Sequence, residues 1–214
     1  MRAADAGPGV VKLVLASANR GKQREFQALL APLGVAVVLQ SDLGIASVPE
    51  TGESFAANAL IKSRHAARHA RLPALADDSG LEVDALEGRP GVRSARYAGE
   101  SASDEQNNAL LLRELADVPP GRRRARYRCV LAWVRDAQDP SPIIASGCWE
   151  GHIALIAAGH GGFGYDPLFI PEGFQCSAAQ LSAEVKNRHS HRALALASLL
   201  QQLRQQRILQ TVEP

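Results

Sequence analysis

Residues 10–39 have the sequence VVKLVLASANRGKQREFQALLAPLGVAVVL and indicate a strand, a helix and a second strand in immediate succession. The apolar run Val10–Ala16 is typical of a buried strand. Four apolar residues then recur on one helix face: Phe26, Leu29, Leu30 and Leu33. This spacing predicts an amphipathic helix from about Lys22 to Leu33, ended by Gly34. A second strand over Val35–Leu39 completes the pattern, which is typical of an α/β protein.

The composition is that of an ordinary globular protein. The chain has 214 residues, of which 46% are hydrophobic and 21% are charged, so disorder along its whole length is excluded. At about 100–200 residues per domain, this length allows one large domain or two small ones. Lys and Arg number 24 against 22 Asp and Glu. The net charge of +2 therefore gives no general attraction to nucleic acid or to an anionic membrane.

The cysteines and the apolar runs indicate the cellular compartment of the protein. Three cysteines lie far apart and form no C-x-x-C pair, which argues against a disulfide-stapled secreted domain. No stretch approaches the roughly 18 apolar residues of a membrane span. Lys12 interrupts the apolar run near the N-terminus, which makes that run a poor signal peptide and a better core strand. We expect a cytoplasmic protein with no membrane partner.

Helices and strands continue to alternate along the chain. A helix is predicted from about Glu53 to Arg71, followed by a short strand over Ala74–Ala76 that runs into Asp77 and Asp78. A capping-box pattern at Ser103 begins the next helix. Three strands come after it: Arg124–Val134, Ile143–Trp149 and His152–Ala157. The last helix begins near Ser190. No linker is evident, so we expect a tail over residues 1–9 and a single domain over residues 10–210.

A loop suited to phosphate lies between the first strand and the first helix. It consists of six residues: Ser17, Ala18, Asn19, Arg20, Gly21 and Lys22. A helix N-terminus there directs backbone N–H groups outward, and the loop adds hydroxyl and amide donors, a glycine and a positive charge. The spacing is not that of a standard P-loop. Simple helix capping by Ser or Asn is the alternative interpretation.

An acidic pair, Asp77 and Asp78, follows the predicted short strand. Carboxylates that emerge from an apolar run are costly to desolvate unless a cation or hydrogen-bond donors meet them. Hard oxygen ligands of this kind suit Mg²⁺. Glu50 is a further candidate carboxylate. The alternative is a turn with ordinary Asx hydrogen bonding.

Two later segments carry candidate ligand groups. A glycine-rich loop contains two aromatic residues and a carboxylate: Phe163, Gly164, Tyr165 and Asp166. Such a loop can lay a ring against a planar base. Three donors lie near the start of the last helix: Lys186, His191 and Arg192. The alternatives are a Phe163 side chain packed in the core and a polar cap on a surface helix.

Two other features are interpreted as solvated surface. His65 and His69 have a metal-like i, i+4 spacing, but no third ligand is evident. The basic run from Arg122 to Arg128 contains a tyrosine and resembles a nucleic-acid patch. Alternation along the strand places Arg126 and Arg128 opposite its apolar face. We therefore expect no nucleic-acid partner.

Taken together, these motifs resemble those of the inosine triphosphate pyrophosphatase family. The resemblance runs from about Val11 to Leu203, with the blocks in the family's order. They are Ser17–Lys22 with Glu25, Glu50–Gly52, Asn58 with Lys62, Ala76–Leu81, Ser94–Tyr97, Gly162–Pro167 and Lys186 with Ser190–Arg192. Ala57 and Val185 depart from the pattern, because many members have Glu there.

The resemblance implies a fold and a reaction. The implied fold is α/β, with a long twisted mixed sheet flanked by helices and a central active-site cleft between two lobes. The implied reaction converts ITP, dITP or XTP and water into a nucleoside monophosphate and pyrophosphate, which cleanses the nucleotide pool. Members of the family are usually homodimers.

The resemblance also implies residue roles. Asp78 would accept the proton of the attacking water, with a water-bridged metal role as the alternative, and Mg²⁺ would be held by Asp78, Glu50 and Asp77. The phosphates would meet Lys22 and Lys62, with Ser17 and Asn19 as donors. Phe163 or Tyr165 would stack on the base, while Lys186, His191 and Arg192 donate toward the purine 6-position. Further substrate contacts carried over by position are Ala18, Arg20, Gly21, Ser79, Arg96, Gly164 and Asp166.

Other functions remain open at the level of sequence. One is a related pyrophosphatase with a different base preference. Another is a non-catalytic protein that binds nucleotides or RNA. The products formed from a panel of triphosphates would distinguish them.

Overall fold

The computed structural model describes residues 11–206 and 208. The tail predicted over residues 1–9, and the extreme ends of the predicted domain, lie outside the described residues. The strands of the structure are β1 (Val11–Leu15), β2 (Val35–Leu39), β3 (Ala74–Val83), β4 (Arg124–Val134), β5 (Ile143–Ile153) and β6 (Phe169–Pro171). Its α-helices are α1 (Arg20–Leu30), α2 (Phe55–Ala70), α3 (Asp104–Glu114), α4 (Ala183–His189) and α5 (His191–Gln205).

One mixed sheet organises these elements, in the order β2-β1-β3-β4-β5-β6. β1 is parallel to β2 and β3, whereas β4, β5 and β6 each pair antiparallel with their neighbours. α1 and α5 contribute to an apolar core on one face of the sheet, and α2 packs on β3 and β4 across another core. The predicted α/β architecture with a mixed, helix-flanked sheet is confirmed.

Local sequence signals account for most helix ends. The Asn19 side chain accepts a hydrogen bond from the backbone of Lys22 and caps α1. Gly34, in the left-handed region at φ 70°, ends the 3₁₀ turn that follows α1. Ser103 and Gln106 form the predicted capping box at the start of α3. These ends follow from residues within one helical turn, which is why the pattern predicts them.

β3 differs from its prediction. The sequence predicts a strand over Ala74–Ala76 that ends at the acidic pair, but the strand continues to Val83, so Asp77 and Asp78 lie inside it. The parallel pairing with β1 stops at Leu75, while the antiparallel pairing with β4 runs the full length of β3. Beyond Leu75, β3 therefore has a regular neighbour on one side only, and this opens the sheet beside the carboxylates.

β5 also differs from its prediction. The sequence predicts two strands separated by a Glu150-Gly151 turn, and this is wrong because one strand runs from Ile143 to Ile153. Glu150 and Gly151 pair in register with Arg126 and Ala125 of β4, so the long partner strand keeps the segment extended. β6 and α4 are not predicted by the sequence patterns. No helix among residues 11–206 is long and apolar enough to cross a membrane.

Candidate active site

A cleft with a volume of about 310 Å³ lies against the centre of β3. It is bounded by the β1–α1 loop, by the glycine-rich loop after β5 and by the start of α5. The predicted site residues that line it are Ser17, Ala18, Asn19, Lys22, Glu50, Lys62, Asp77, Ser79, Phe163, Gly164, Tyr165, Asp166, Lys186, His191 and Arg192. Segments far apart in sequence thus converge on one cavity.

Asp77 is held by cations on one face of β3. Arg192 Nε donates to Asp77 Oδ2 at 2.7 Å, and Lys22 Nζ lies 3.4 Å from the same oxygen. The thiol of Cys129 contacts the other oxygen at 3.7 Å. Burial by itself would raise the pKa of Asp77, but the charges of Lys22 and Arg192 hold it well below its usual range. The Asp77 side chain is 0% exposed, so its charge is neutralised by protein groups and not by solvent.

Arg192 is the centre of this buried network. Its guanidinium donates to Asp77, to Glu25 at 3.1 Å and to the Ser79 hydroxyl at 3.0 Å, using all three nitrogens. Burial would lower the pKa of Arg192, but Asp77 and Glu25 raise it overall. The resemblance implies that Arg192 donates to the base. In the structure it ties α5 to β3 and α1.

Asp78 points to the opposite face of β3, since successive side chains of a strand alternate. Lys62 Nζ donates to Asp78 Oδ1 at 2.6 Å, to Glu50 Oε1 at 2.9 Å and to the Asp77 carbonyl at 2.9 Å. Burial raises the pKa of Asp78 above its usual value, although Lys62 opposes the rise. Within the described part of the chain, the buried Asp78 Oδ2 has no hydrogen-bond partner. One oxygen of this carboxylate is therefore left for a ligand.

The Asp78 face suits a magnesium ion better than the Asp77 face does. Glu50 and Asp78 converge on the single ammonium of Lys62, and Asp78 keeps a buried oxygen without a partner. Mg²⁺ usually takes one or two carboxylates and completes its coordination with water and substrate phosphates. The described residues contain no cluster of three or more His, Cys, Asp or Glu that could enclose a metal. Two carboxylates that share one lysine thus fit this ion, and Asp77, which has partners at both oxygens, lies outside the set.

The pKa values of the two cleft lysines are shifted in opposite directions. Burial lowers the pKa of Lys22, and Asp77 only partly restores it. Burial would also lower the pKa of Lys62, but Asp78 and Glu50 raise it overall. Lys62 is thus held firmly in its charged form beside the open oxygen of Asp78.

Phe163 is the aromatic ring of the glycine-rich loop that faces the cleft. The Arg192 guanidinium lies 5.1 Å from its ring centroid and Lys186 Nζ lies 5.9 Å from it. Asp166 stabilises the loop by accepting from Lys186 Nζ at 2.7 Å and from the Phe163 backbone at 3.0 Å. Gly162 has φ 76°, and a Cβ there would lie 1.9 Å from Asp166 Oδ2, so only glycine fits.

Tyr165 also lines the cleft. Its side chain is buried, and its hydroxyl donates to the Ser94 carbonyl at 2.8 Å. Burial raises the pKa of Tyr165. Of the two rings that the sequence offers for base stacking, Phe163 is therefore the one placed to contact a ligand.

His191, the first residue of α5, lines the cleft. Its ring stacks on Tyr127 with centroids 4.7 Å apart and planes 10° from parallel. Burial, assisted by the charge of Arg192, lowers the pKa of His191 well below its usual value, so the ring is neutral at neutral pH. Among the described groups, its buried Nδ1 has no partner. His191 thus brings a buried nitrogen without a partner to the cleft lining.

Four predicted site residues lie outside the cleft lining. One of them is Asp78, which lies beside the cleft and is bound to Lys62 in its lining. Arg20 is exposed and pairs with Asp42 at 2.6 Å. Gly21 packs near Phe163, because a Cβ there would lie 3.3 Å from its ring. Arg96 reaches the site through Glu50, with its Nη1 3.5 Å from Glu50 Oε2.

The features interpreted as solvated surface are paired with protein groups. His65 Nε2 lies 2.9 Å from the Ala46 carbonyl. Arg126 pairs with Asp84 at 2.8 Å and with Glu150 at 3.2 Å. The positive charge of the β4 arginines is therefore largely neutralised by nearby carboxylates.

Several cleft residues are missed by the sequence analysis. They include Gln40, Asp104 and Tyr127. Tyr127 lies on the apolar face of β4 with Ala125 and Cys129 and therefore resembles a core residue in the sequence. Asp104 is the first residue of α3 and reads as an ordinary acidic helix start. No local signal distinguishes these residues, because their place in the cleft depends on long-range packing.

Nearly the whole chain is similar to known proteins. A model of the Ham1 family matches residues 13–202. The dITP/XTP pyrophosphatase of Methylococcus capsulatus is 59% identical over 193 residues, which cover 90% of this chain and 96% of that protein. The solved structure of a HAM1 protein from Coxiella burnetii has a TM-score of 0.84 and 43% identity, covering 92% of this chain and 100% of that chain. A nucleoside-triphosphatase / dITP/XTP pyrophosphatase from Mycobacterium abscessus has a TM-score of 0.71 and 44% identity, covering 90% and 100%.

Proposed function

Since the chain belongs to the Ham1 family, we propose that it hydrolyses ITP, dITP and XTP to the nucleoside monophosphate and pyrophosphate. The observation that carries this proposal is a cleft lined by buried cations, one of which, Lys62, also binds the Asp78 carboxylate that keeps one oxygen without a partner. The cations suit a triphosphate and the free oxygen suits the attacking water. The names of the similar proteins specify the substrate class.

The phosphates bind at the wall formed by the β1–α1 loop. Lys22 and Lys62 supply positive charge from opposite sides of β3, and the N-terminus of α1 adds backbone N–H groups. Ser17 and Asn19 are nearby donors. Because the side-chain oxygen of Asn19 already caps α1, the loop is held in shape before a ligand arrives.

Asp78 is the proton acceptor. Burial raises the pKa of its carboxyl group, which makes the carboxylate a stronger base than an exposed aspartate. Its Oδ2 takes a proton from a water molecule whose oxygen attacks the α-phosphorus, and pyrophosphate departs. Glu50, together with Oδ1 of Asp78, would hold a Mg²⁺ ion, which would supply electrostatic stabilisation of the phosphate charge. Lys62 keeps both carboxylates in place.

The base binds at the Phe163 end of the cleft. Phe163 stacks on the ring, and Lys186 and His191 are placed to meet the polar edge of the base. Hypoxanthine and xanthine carry an acceptor at the 6-position, where adenine carries an amino donor. A buried donor left unpaired by adenine is costly, which favours the non-standard purines. Arg192 contributes by holding α5 against β3.

The proposed setting is a cytoplasmic homodimer that acts on free nucleotides without a nucleic-acid partner. Carboxylates pair with two arginines of β4, Arg126 and Arg128. This pairing supports the proposal that the strand does not bind nucleic acid. The three cysteines are free thiols, as suits a reducing compartment.

A product assay tests the proposed function. The purified chain is incubated with Mg²⁺ and ITP, dITP, XTP, GTP or ATP, and monophosphate, pyrophosphate and orthophosphate are measured separately. We expect pyrophosphate and monophosphate from the three non-standard nucleotides, with far slower turnover of ATP. Removing divalent cations with a chelator should stop the reaction.

Two results would contradict the proposal. Orthophosphate as the first product would place the attack at the γ-phosphorus. Absence of monophosphate from ITP, dITP and XTP alike, with folded protein and Mg²⁺ present, would reject the activity.

A further inference from the structure

The backbone of Gly164 is held at both of its polar groups by one helix. Its N–H donates to Asp104 Oδ2 at 2.6 Å, and its carbonyl accepts from Asn108 Nδ2 at 2.8 Å. Gly164 has φ 63°, a conformation that other residues rarely adopt. The loop is therefore pinned at this glycine by side chains from a distant part of the chain.

Asp104 and Asn108 are suited to act together. They are four residues apart on α3, so they lie on the same face of the helix. Asn108 Nδ2 also donates to the Asp104 carbonyl at 2.8 Å, which links the two residues. The capping box at Ser103 secures this end of α3. The two contacts to Gly164 thus come from a rigid element.

The same helix is attached to the opposite wall of the cleft. Asn107 Oδ1 accepts from the Ala98 backbone at 2.8 Å, and Asn107 Nδ2 donates to the Ala95 carbonyl at 3.3 Å. This segment contains Arg96, which contacts Glu50. The first two turns of α3 therefore span from the carboxylate side of the cleft to the loop that presents Phe163.

We propose that Asp104 and Asn108 are positioning residues that fix Gly164, and through it the Phe163 ring, for stacking on the base. This inference rests on the proposed function and adds a helix that the family motifs of the sequence do not include. Phe163 precedes Gly164 directly, and the ring sits over Arg192 and Lys186. A freed Gly164 would let the ring leave this place while the Asp78 side of the cleft stays intact.

Three single variants test the proposal. Asp104→Ala removes the acceptor for the Gly164 N–H, and Asp104→Asn keeps an acceptor oxygen without the charge. Glu105→Ala is the matched control, because Glu105 is the other acidic residue in the first turn of α3 and is exposed. The control thus removes a similar helix-dipole interaction without touching the loop.

Steady-state kinetics with ITP is the first measurement. Because stacking contributes to binding in both ground state and transition state, we expect Asp104→Ala to raise KM about tenfold while kcat stays within about twofold. Asp104→Asn should recover KM to within about threefold of the wild-type value, and Glu105→Ala should match wild type. An unchanged KM in Asp104→Ala, or an equal rise in Glu105→Ala, would overturn the proposal.

Hydrogen exchange of the free protein is the second measurement, and it does not depend on turnover. Amides of residues 161–166 should exchange faster in Asp104→Ala than in wild type or Glu105→Ala, while those of β3 stay unchanged. Equal exchange in all three proteins would reject the positioning role even if ITP is hydrolysed. Lack of ITP hydrolysis by the wild type, with the expected exchange pattern, would reject the proposed function instead.

Discussion

Asp77 and Asp78 are consecutive residues of β3 in opposite environments. Asp77 faces Arg192 and Lys22 and has partners at both carboxylate oxygens. Asp78 faces Lys62 and keeps one buried oxygen without a partner among the described residues. The strand thus separates two environments: Asp77 is paired at both oxygens, and Asp78, the proposed proton acceptor, keeps one oxygen without a partner.

The pKa shifts of the two groups express this difference. The pKa of Asp77 is lowered because, despite burial, Lys22 and Arg192 favour its charge. The pKa of Asp78 is raised because burial disfavours its charge more than Lys62 favours it. A lowered carboxyl pKa means that the charge stabilises the fold, and a raised one means that the charge costs stability. Groups with that cost often lie at functional sites.

The largest expected effect is that of Asp78→Asn on catalysis. Loss of the proton acceptor should lower kcat for ITP by about 10²–10⁴-fold. The free energy of unfolding at pH 7 should stay equal or increase, because a neutral group replaces a charge that burial disfavours. Steady-state kinetics and urea unfolding measure the two quantities. Turnover near the wild-type rate would refute the assignment of Asp78.

The next effect is that of Asp77→Asn on stability. The variant leaves Lys22 and Arg192 buried without their shared anion, although Arg192 keeps Glu25. We expect a loss of about 3 kcal/mol in the free energy of unfolding, the lower end of the range for breaking a buried ion pair. Asp78→Asn, the same substitution one residue away, is the matched control. A smaller loss in Asp77→Asn than in Asp78→Asn would reverse the comparison.

The smallest effect is the acid dependence of stability. The unfolded chain protonates Asp77 below its ordinary pKa of about 3.9, while the folded protein keeps the charge to lower pH. Stability from this group is therefore complete above that value and decreases as pH falls. Between pH 5 and pH 3, the wild type should lose about 1 kcal/mol more than Asp77→Asn in urea unfolding. Equal losses would show that Asp77 carries no lowered pKa.

The fold was predictable where its signals are local. The strand–helix–strand opening, the capping box at Ser103 and the last helix after Ser190 depend on spacing within a few residues, and the structure confirms them. The predictions for β3 and β5 fail at polar or glycine-containing segments. There, pairing with β4 keeps the chain extended against its local preference.

Many of the residues that the motifs single out line the cleft, and their roles stay predictions. Motifs with phosphate-binding, acidic and aromatic character indicated the segments that the structure brings into one cleft. The partners within that set were not predictable. Arg192 reaches Asp77 across 115 residues, and Asp104 reaches Gly164 across 60 residues. Contacts over such separations leave no periodicity in the sequence.

Sequence alone was enough to identify the family resemblance, the α/β class and the candidate residues, because motifs and short-range periodicity are carried by neighbouring positions. Tertiary structure decided which of two adjacent aspartates supports the fold and which remains open to a ligand. The physical reason is that alternation along β3 sends the two side chains into different surroundings. Only packing from α1, α2 and α5 determines the charges that each one meets.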